Sequence, residues 1–295
     1  MTAPAIVAIG GGHGLATVLE GLAGRCGSLV GVVSVADDGG SSGRLRRDLS
    51  IIAPGDLRRC LAALTPDDLM AGALEHRFGR GALRGHPAGN VLLAALLELE
   101  DDPVRVLDTL ASMLGARGRV LPATTGEVDL LATTDRGTVK GQVAVSESGA
   151  ITAIRHVPPD PSVPEVVVEA IESADVVVLG PGSLYTSVLA PVVPGVAAAI
   201  GRRAGPLVYV ANLATEPGET EGYDLAAHLE AVRRHGLEPD VVLCDESVVV
   251  PVDDTVTIRI GCLVAGSEPA HDARLLGDAI LACAGRVTSD AEAPS

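Results

Sequence analysis

Five apolar runs in this chain do not alternate with polar residues, and each stops at a cluster of small or polar ones. "AIVAIG" (Ala5–Gly10) runs into Gly11-Gly12-His13-Gly14, and Leu29–Ala36 runs into Asp37-Asp38-Gly39-Gly40-Ser41-Ser42-Gly43. "DVVVLG" from Asp175 meets Pro181-Gly182-Ser183, "PLVYVAN" from Pro206 ends on Asn212, and "DVVLCD" from Asp240 ends on Asp245. A strand apolar on both faces must be covered on both, which is the habit of parallel sheets. Helix-period stretches lie between the runs: Leu15, Val18, Leu19 and Leu22, then residues 91–99, 104–114, 165–174, 223–232 and 272–282. The alternation predicts an α/β fold, a doubly wound, mostly parallel Rossmann-like sheet. The core it implies is aliphatic, since the chain has one Phe, three Tyr and no Trp.

One region departs from this pattern. Val128–Val145 alternates around Asp135-Arg136-Gly137 and reads as a β-hairpin. Ile151–Val157 adds a strand, and Pro158–Pro164 is a stiff connector. The expected organisation is one α/β domain over 1–285, an antiparallel insertion near 118–157, and a flexible tail over 286–295.

A net charge of -16 opposes binding to nucleic acid, and no basic run is long enough to override it. The five cysteines show no metal-ligand spacing and read as free thiols in a reducing cytoplasm. No apolar run approaches the ~18 residues of a membrane span, and the N-terminus lacks a signal-peptide pattern. The aliphatic helices leave a homo-oligomer open.

In an open α/β sheet, ligands sit at the carboxyl ends of the strands, where the polar clusters fall. Gly10, Gly11, Gly12, His13 and Gly14 would turn backbone N–H groups and a helix N-terminus toward an anion. The dinucleotide fingerprint is incomplete, because its third glycine position falls on Leu15 or Thr17. That weakens a nicotinamide dehydrogenase reading and leaves NAD as a look-alike ligand. Asp37 and Asp38 suit ribose hydroxyls or Mg²⁺. Gly40 lets the backbone approach a ligand, Ser41 and Ser42 hydrogen-bond it, and Arg44 counters a phosphate. Asp56 is either a helix cap or a site residue, and Asn90, after His86, carries the same ambiguity. Gly182 and Ser183 form a second anion-friendly turn, and Asn212 ends a strand beside it. Asp272 reads as a helix cap.

The strings "AIGGGHGL", "VADDGGSSGRLR", "PGDLR", "GHPAGN", "GPGSLYTS" and "PGET" closely resemble, in order and over nearly the whole chain, the YvcK/CuvA-like family of bacterial gluconeogenesis factors. That family is related to 2-phospho-L-lactate transferase (CofD). The resemblance implies a CofD-like fold and a cytoplasmic regulatory protein that binds UDP-sugars, notably UDP-N-acetylglucosamine. It also implies a part in cell shape and cell-wall synthesis on gluconeogenic carbon, with the cell-wall machinery as partner and no reaction required. The alternative it carries is a metal-dependent phosphotransferase acting on a nucleotide-linked phospho-lactyl substrate.

Overall fold

The computed structural model describes residues 3–248, 256–265 and 270–290. In chain order the elements are β1 (Ala5–Gly10), α1 (Gly12–Leu22), β2 (Ser28–Val33), α2 (Gly40–Leu49), α3 (Pro54–Leu64), α4 (Asp68–Glu75), α5 (Ala88–Leu99), α6 (Pro103–Leu114) and β3 (Arg119–Pro122). Then come β4 (Asp129–Thr134), β5 (Gly137–Lys140), α7 (Gln142–Ser146), β6 (Ile151–Val157), α8 (Glu165–Ser173), β7 (Val176–Leu179) and a π-helical turn (Leu184–Val188). The chain continues through α9 (Pro194–Gly201), β8 (Leu207–Val210), α10 (Leu225–Arg234), β9 (Val241–Asp245), β10 (Thr257–Gly261) and α11 (Ala273–Asp290).

Seven strands form one sheet in the order β10-β9-β8-β7-β1-β2-β3, parallel at every pairing. The expected doubly wound α/β fold is what the chain adopts. The unbroken apolar runs follow from burial on two sides. Ile6 and Ala8 of β1 join one core cluster, with Leu15, Leu19, Leu57, Leu107 and Ile280. Val7 and Ile9 join the other, with Val167, Val196, Leu229 and Ile154. Successive residues of a strand face opposite ways, so a strand covered twice must be apolar at every position.

A second sheet, β5-β4-β6, is antiparallel. The expected hairpin is present but ends at Lys140, because Gln142–Ser146 turn into α7. The insertion also begins later than the expected 118. β3 (Arg119–Pro122) pairs in parallel with β2 and belongs to the large sheet. The predicted Leu29–Ala36 strand is shorter, stopping at Val33. Helix α11 continues to Asp290, past the expected end of the domain at 285; residues 291–295 lie outside the described ones.

Arg46 ties α2 to the small sheet. Its Nε donates to Glu127 at 2.9 Å and its Nη2 to Asp129 at 2.6 Å, while Lys140 reaches Asp129 at 2.9 Å. Burial raises the Asp129 carboxyl, but Lys140 and Arg46 outweigh it and hold the group below its usual range. A carboxyl depressed by folding contributes stability above its unfolded pKa, and that contribution disappears as pH falls through the folded value. Acid titration of thermal stability in the wild type and Asp129→Asn checks this. The variant should lose stability at neutral pH and show a flatter decline toward acid. Identical curves would remove Asp129 from the linkage.

Candidate functional site

From β1 the chain moves to β2 and β3 on one side, and later strands fill the other side from β7 outward. The order therefore reverses between β1 and β7, and connections leaving the two strands in opposite directions open a crevice at their carboxyl ends. Gly11–Gly14 from the first connection and Pro181–Ser183 from the second line a cleft of about 500 Å³ there. Gly12 and Gly182 take φ of 63° and 141°, values that side chains of L residues rarely adopt. At Gly14 a Cβ would stand 2.1 Å from the Pro181 carbonyl oxygen, so the start of α1 presses directly on the opposite turn. The cleft lies at the N-terminus of α1, where the Gly12 N–H is already taken by Asp56 and the later N–H groups of the first turn are the ones suited to an anion.

Asn212, at the end of β8, braces the second turn. Its Oδ1 accepts the Gly182 N–H at 3.0 Å and its Nδ2 donates to the Gly182 carbonyl at 2.8 Å. Both ends of its amide are thereby occupied, so it sets the turn's orientation. Glu216 lines the same cleft, with its carboxyl raised by burial and eased by the Ser183 hydroxyl.

None of the remaining predicted residues, Gly10, Asp37, Asp38, Gly40, Ser41, Ser42, Arg44, Asp56, His86 and Asn90, lines this cleft. Asp56 joins the two groups. Its Oδ2 accepts the Gly12 N–H at 2.8 Å and its Oδ1 accepts from Arg59 at 2.7 Å. It caps a helix, but that helix is α1, while Ala53 occupies the cap position of its own helix α3. Burial raises the Asp56 carboxyl, Arg59 opposes this, and nearby Asp37 raises it further. Asp37 Oδ1 accepts the Gly39 N–H, and Asp38 Oδ1 accepts the Val143 N–H at 3.0 Å.

The Gly39–Gly43 stretch is not an open loop, because α2 begins at Gly40 and carries Ser41, Ser42 and Arg44 in its first turns. Both serines are buried. Ser41 Oγ meets His86 Nδ1 at 2.8 Å and accepts from Asn90 Nδ2 at 3.1 Å. Asn90 lies inside α5, whose cap position is Pro87, and its buried Oδ1 has no partner. Burial, then Arg44 and Arg77, lower the His86 pKa and favour the neutral ring. Arg44 is exposed and does not line the cleft; its Nη2 packs toward Gly85.

The carboxylates do not form a cation cage. No group of three or more His, Cys, Asp or Glu gathers in a ligating arrangement among the described residues. Asp38 is held by Val143, Asp56 by Gly12 and Arg59, and Asp37 by Gly39 through one oxygen. Mg²⁺ usually takes one or two carboxylates together with ligand phosphates, and these residues alone do not supply its shell.

Sequence reasoning missed part of the cleft wall. Ser187, Leu213–Glu216 and His271 line it. Glu216 immediately precedes the "PGET" string, whose position after β8 was the available signal. His271 is lowered by burial against the opposing pull of Asp245, and its Nε2 is buried without a partner. Its neighbour Asp272 accepts the Leu275 N–H at 2.9 Å, as expected of a cap. A larger recess of about 590 Å³ lies on the other flank of α1, sharing His13 and Thr17. It is walled by side chains of α1, α3 and α4 and lacks the paired glycine turns, so the crevice at the strand reversal is the stronger ligand site.

A parallel sheet with facing glycine turns at its reversal point defines a Rossmann-like class of architecture. The family model for 2-phospho-L-lactate transferase CofD matches residues 6–259. A relative from Deinococcus radiodurans is 45% identical over 253 residues, covering 83% of this chain and 54% of that protein. The gluconeogenesis factor of Halalkalibacterium halodurans is 40% identical over 262 residues, covering 86% of this chain and 80% of that one. The crystal structure of a UPF0052 family member from Bacillus halodurans superposes with a TM-score of 0.89 at 35% identity, over 95% of this chain and 99% of that one. The chain belongs to the CofD-like gluconeogenesis-factor family. It spans only about half the length of the Deinococcus relative. No helix among the described residues is long and apolar enough to cross a membrane.

Proposed function

We propose that the cleft between the β1 and β7 turns binds the diphosphate of a nucleotide sugar, with UDP-N-acetylglucosamine as the preferred ligand. In this reading the chain acts as a regulator without turnover. The observation that carries it is the apposition of Gly11–Gly14 and Pro181–Ser183 across one crevice at the start of helix α1. Polar wall residues Thr215, Glu216 and His271 then serve the ligand's hydroxyl and N–H groups. The names of the relatives support a role in growth on gluconeogenic carbon, and effects on cell shape and wall synthesis follow if the bound state is read by that machinery.

Calorimetric titration with UDP-N-acetylglucosamine, UDP-glucose, NAD and GTP checks this. The first should bind with a micromolar constant and the last two at least about tenfold more weakly, a gap of about 1.4 kcal/mol. No heat from either UDP-sugar at millimolar concentration would sink the proposal.

The second reading is phosphotransfer, supported by the family model and by Asp37 lying close enough to perturb the buried Asp56. It requires metal-dependent consumption of a phospho-lactyl nucleotide with a deazaflavin acceptor. Absence of product in that assay closes it.

A further inference from the structure

Five exposed arginines stand on two segments that the cleft does not use. Arg44 and Arg47 lie three apart on one face of α2, and Arg77, Arg80 and Arg84 lie in the loop that joins α4 to α5. The two segments meet at Gly85. Arg77 Nη1 donates to the Gly85 carbonyl at 2.5 Å, and Arg44 Nη2 lies 3.2 Å from where a Cβ on Gly85 would stand. The loop is pinned at its base by backbone hydrogen bonds. The Ala88 N–H donates to His76 at 2.9 Å, the Phe78 N–H to His86 at 3.1 Å and the Gly85 N–H to Phe78 at 2.8 Å. Its outer part is open: a Cβ on Gly79 or Gly81 would meet nothing within 4 Å, and Leu83 is 44% exposed.

Elsewhere in the fold guanidiniums commonly stand beside carboxylates, as Arg46 does with Glu127 and Asp129, Arg59 with Asp56, Arg119 with Asp108 and Arg203 with Asp240. None of the five arginines forms an ion pair among the described residues, in a chain whose formal net charge is -16. The acids close by do not neutralise them. Asp48 opposes Arg44 and Arg77 in their effect on His86, and Glu75 is held by Arg58. Like charges kept together without a counter-charge work against the compact state.

We infer that this face docks a short acidic segment of a partner protein, its Asp and Glu side chains on the guanidiniums and an apolar side chain against Leu83. Guanidinium matches carboxylate with two parallel hydrogen bonds, which lysine cannot offer. A loop pinned at its base presents Arg80 and Arg84 with little further ordering to lose on binding. The size of the patch selects a segment over an extended polyanion. A membrane or a nucleic-acid duplex is negative over distances well beyond the arginines. It would bring the exposed carboxylates of the flanking helices, such as Asp68 on α4 and Glu98 on α5, against like charge. A segment that covers only the arginines avoids this, since charges beyond about 8 Å are screened at physiological salt.

Fluorescence anisotropy of the whole chain with a labelled peptide of glutamates around one leucine tests this. The wild type should bind in the range of about 10–100 µM at low salt, and at least about tenfold more weakly when the salt is raised to about 0.3 M. Arg44→Glu/Arg84→Glu should lose at least about tenfold in affinity, or 1.4 kcal/mol, with a melting temperature that does not fall, since both side chains are exposed and unpaired. Arg117→Glu/Arg136→Glu carries the same net charge on other exposed, unpaired arginines and should bind like the wild type. Leu83→Ser should weaken the complex severalfold. A wild type that ignores the peptide at millimolar concentration, or an equal loss in the Arg117/Arg136 variant, would overturn the inference. Tighter binding to phosphatidylglycerol vesicles or to duplex DNA than to the peptide would also overturn it, by giving the face to a membrane or to nucleic acid.

Discussion

Gly14→Ala should abolish ligand binding and lower stability together. The new Cβ would lie 2.1 Å from the Pro181 oxygen and 2.7 Å from its carbonyl carbon, both backbone atoms that cannot rotate away. The start of α1 and the β7 turn must separate, and those two surfaces are the walls of the proposed site. Overpacking of this kind costs about 1–3 kcal/mol. The affinity for UDP-N-acetylglucosamine should fall by two orders of magnitude or more, because the N–H groups lose their aim. Gly72→Ala is the control. It lies in α4 with nothing within 4 Å of the added methyl, and should be neutral or slightly stabilising. Thermal melts and calorimetry of the two variants check this. A Gly14→Ala protein that binds like the wild type would place the ligand elsewhere.

Glu219→Ala should destabilise the fold by about 3–4 kcal/mol. Glu219 is buried and accepts the backbone N–H of Tyr185 at 3.0 Å, that of Thr186 at 3.2 Å, and the Thr186 hydroxyl. It thus satisfies the start of the π-helical turn after β7, which carries the second wall of the cleft. Alanine leaves those donors without an acceptor in a place water does not reach. Glutamine keeps one oxygen and should cost less, about 1–2 kcal/mol. The two variants also differ from the wild type in pH dependence. Burial raises the Glu219 carboxyl above its unfolded value, against the donors that hold it down. The folded state then binds the proton more tightly than the unfolded one. Relative to high pH, this group adds stability below its unfolded pKa and loses it as pH rises through the folded value. Chemical denaturation across pH should show that slope in the wild type and not in Glu219→Gln. Equal slopes would mean that the Glu219 carboxyl binds its proton equally well in both states.

Much of this architecture was legible from residue order. The runs at Ala5–Gly10 and Asp175–Gly180 announced buried parallel strands because both faces of each had to be apolar, and the large sheet uses them that way. The glycine turns were legible because glycine takes φ of 63° at residue 12 and 141° at residue 182 without the strain other residues meet there. Boundaries were less legible. Gly39–Gly43 looked like a loop because its residues are poor helix formers, yet α2 runs from Gly40 to Leu49. It is helical because α2 anchors through Arg46 to the small sheet, an interaction more than eighty residues away in the chain. Arg119–Pro122 sat close to the hairpin in sequence and joined the large sheet, since it completes the edge beside β2.

For the site, local chemistry alone identified which turns could face an anion, because backbone freedom and small side chains are properties of neighbouring residues. The roles of the side chains were decided by tertiary structure. Asp56 was expected to cap its own helix or touch ligand and instead caps α1, whose first residue, Gly12, lies against it in the fold. Ser41 was expected to hydrogen-bond a ligand and is held by His86 and Asn90. Asn212 braces Gly182, and Glu219 supports the turn after β7 from thirty-three and thirty-four residues away. A hydrogen bond depends on position in space, so sequence spacing can name the donors and acceptors while only the folded chain assigns their partners.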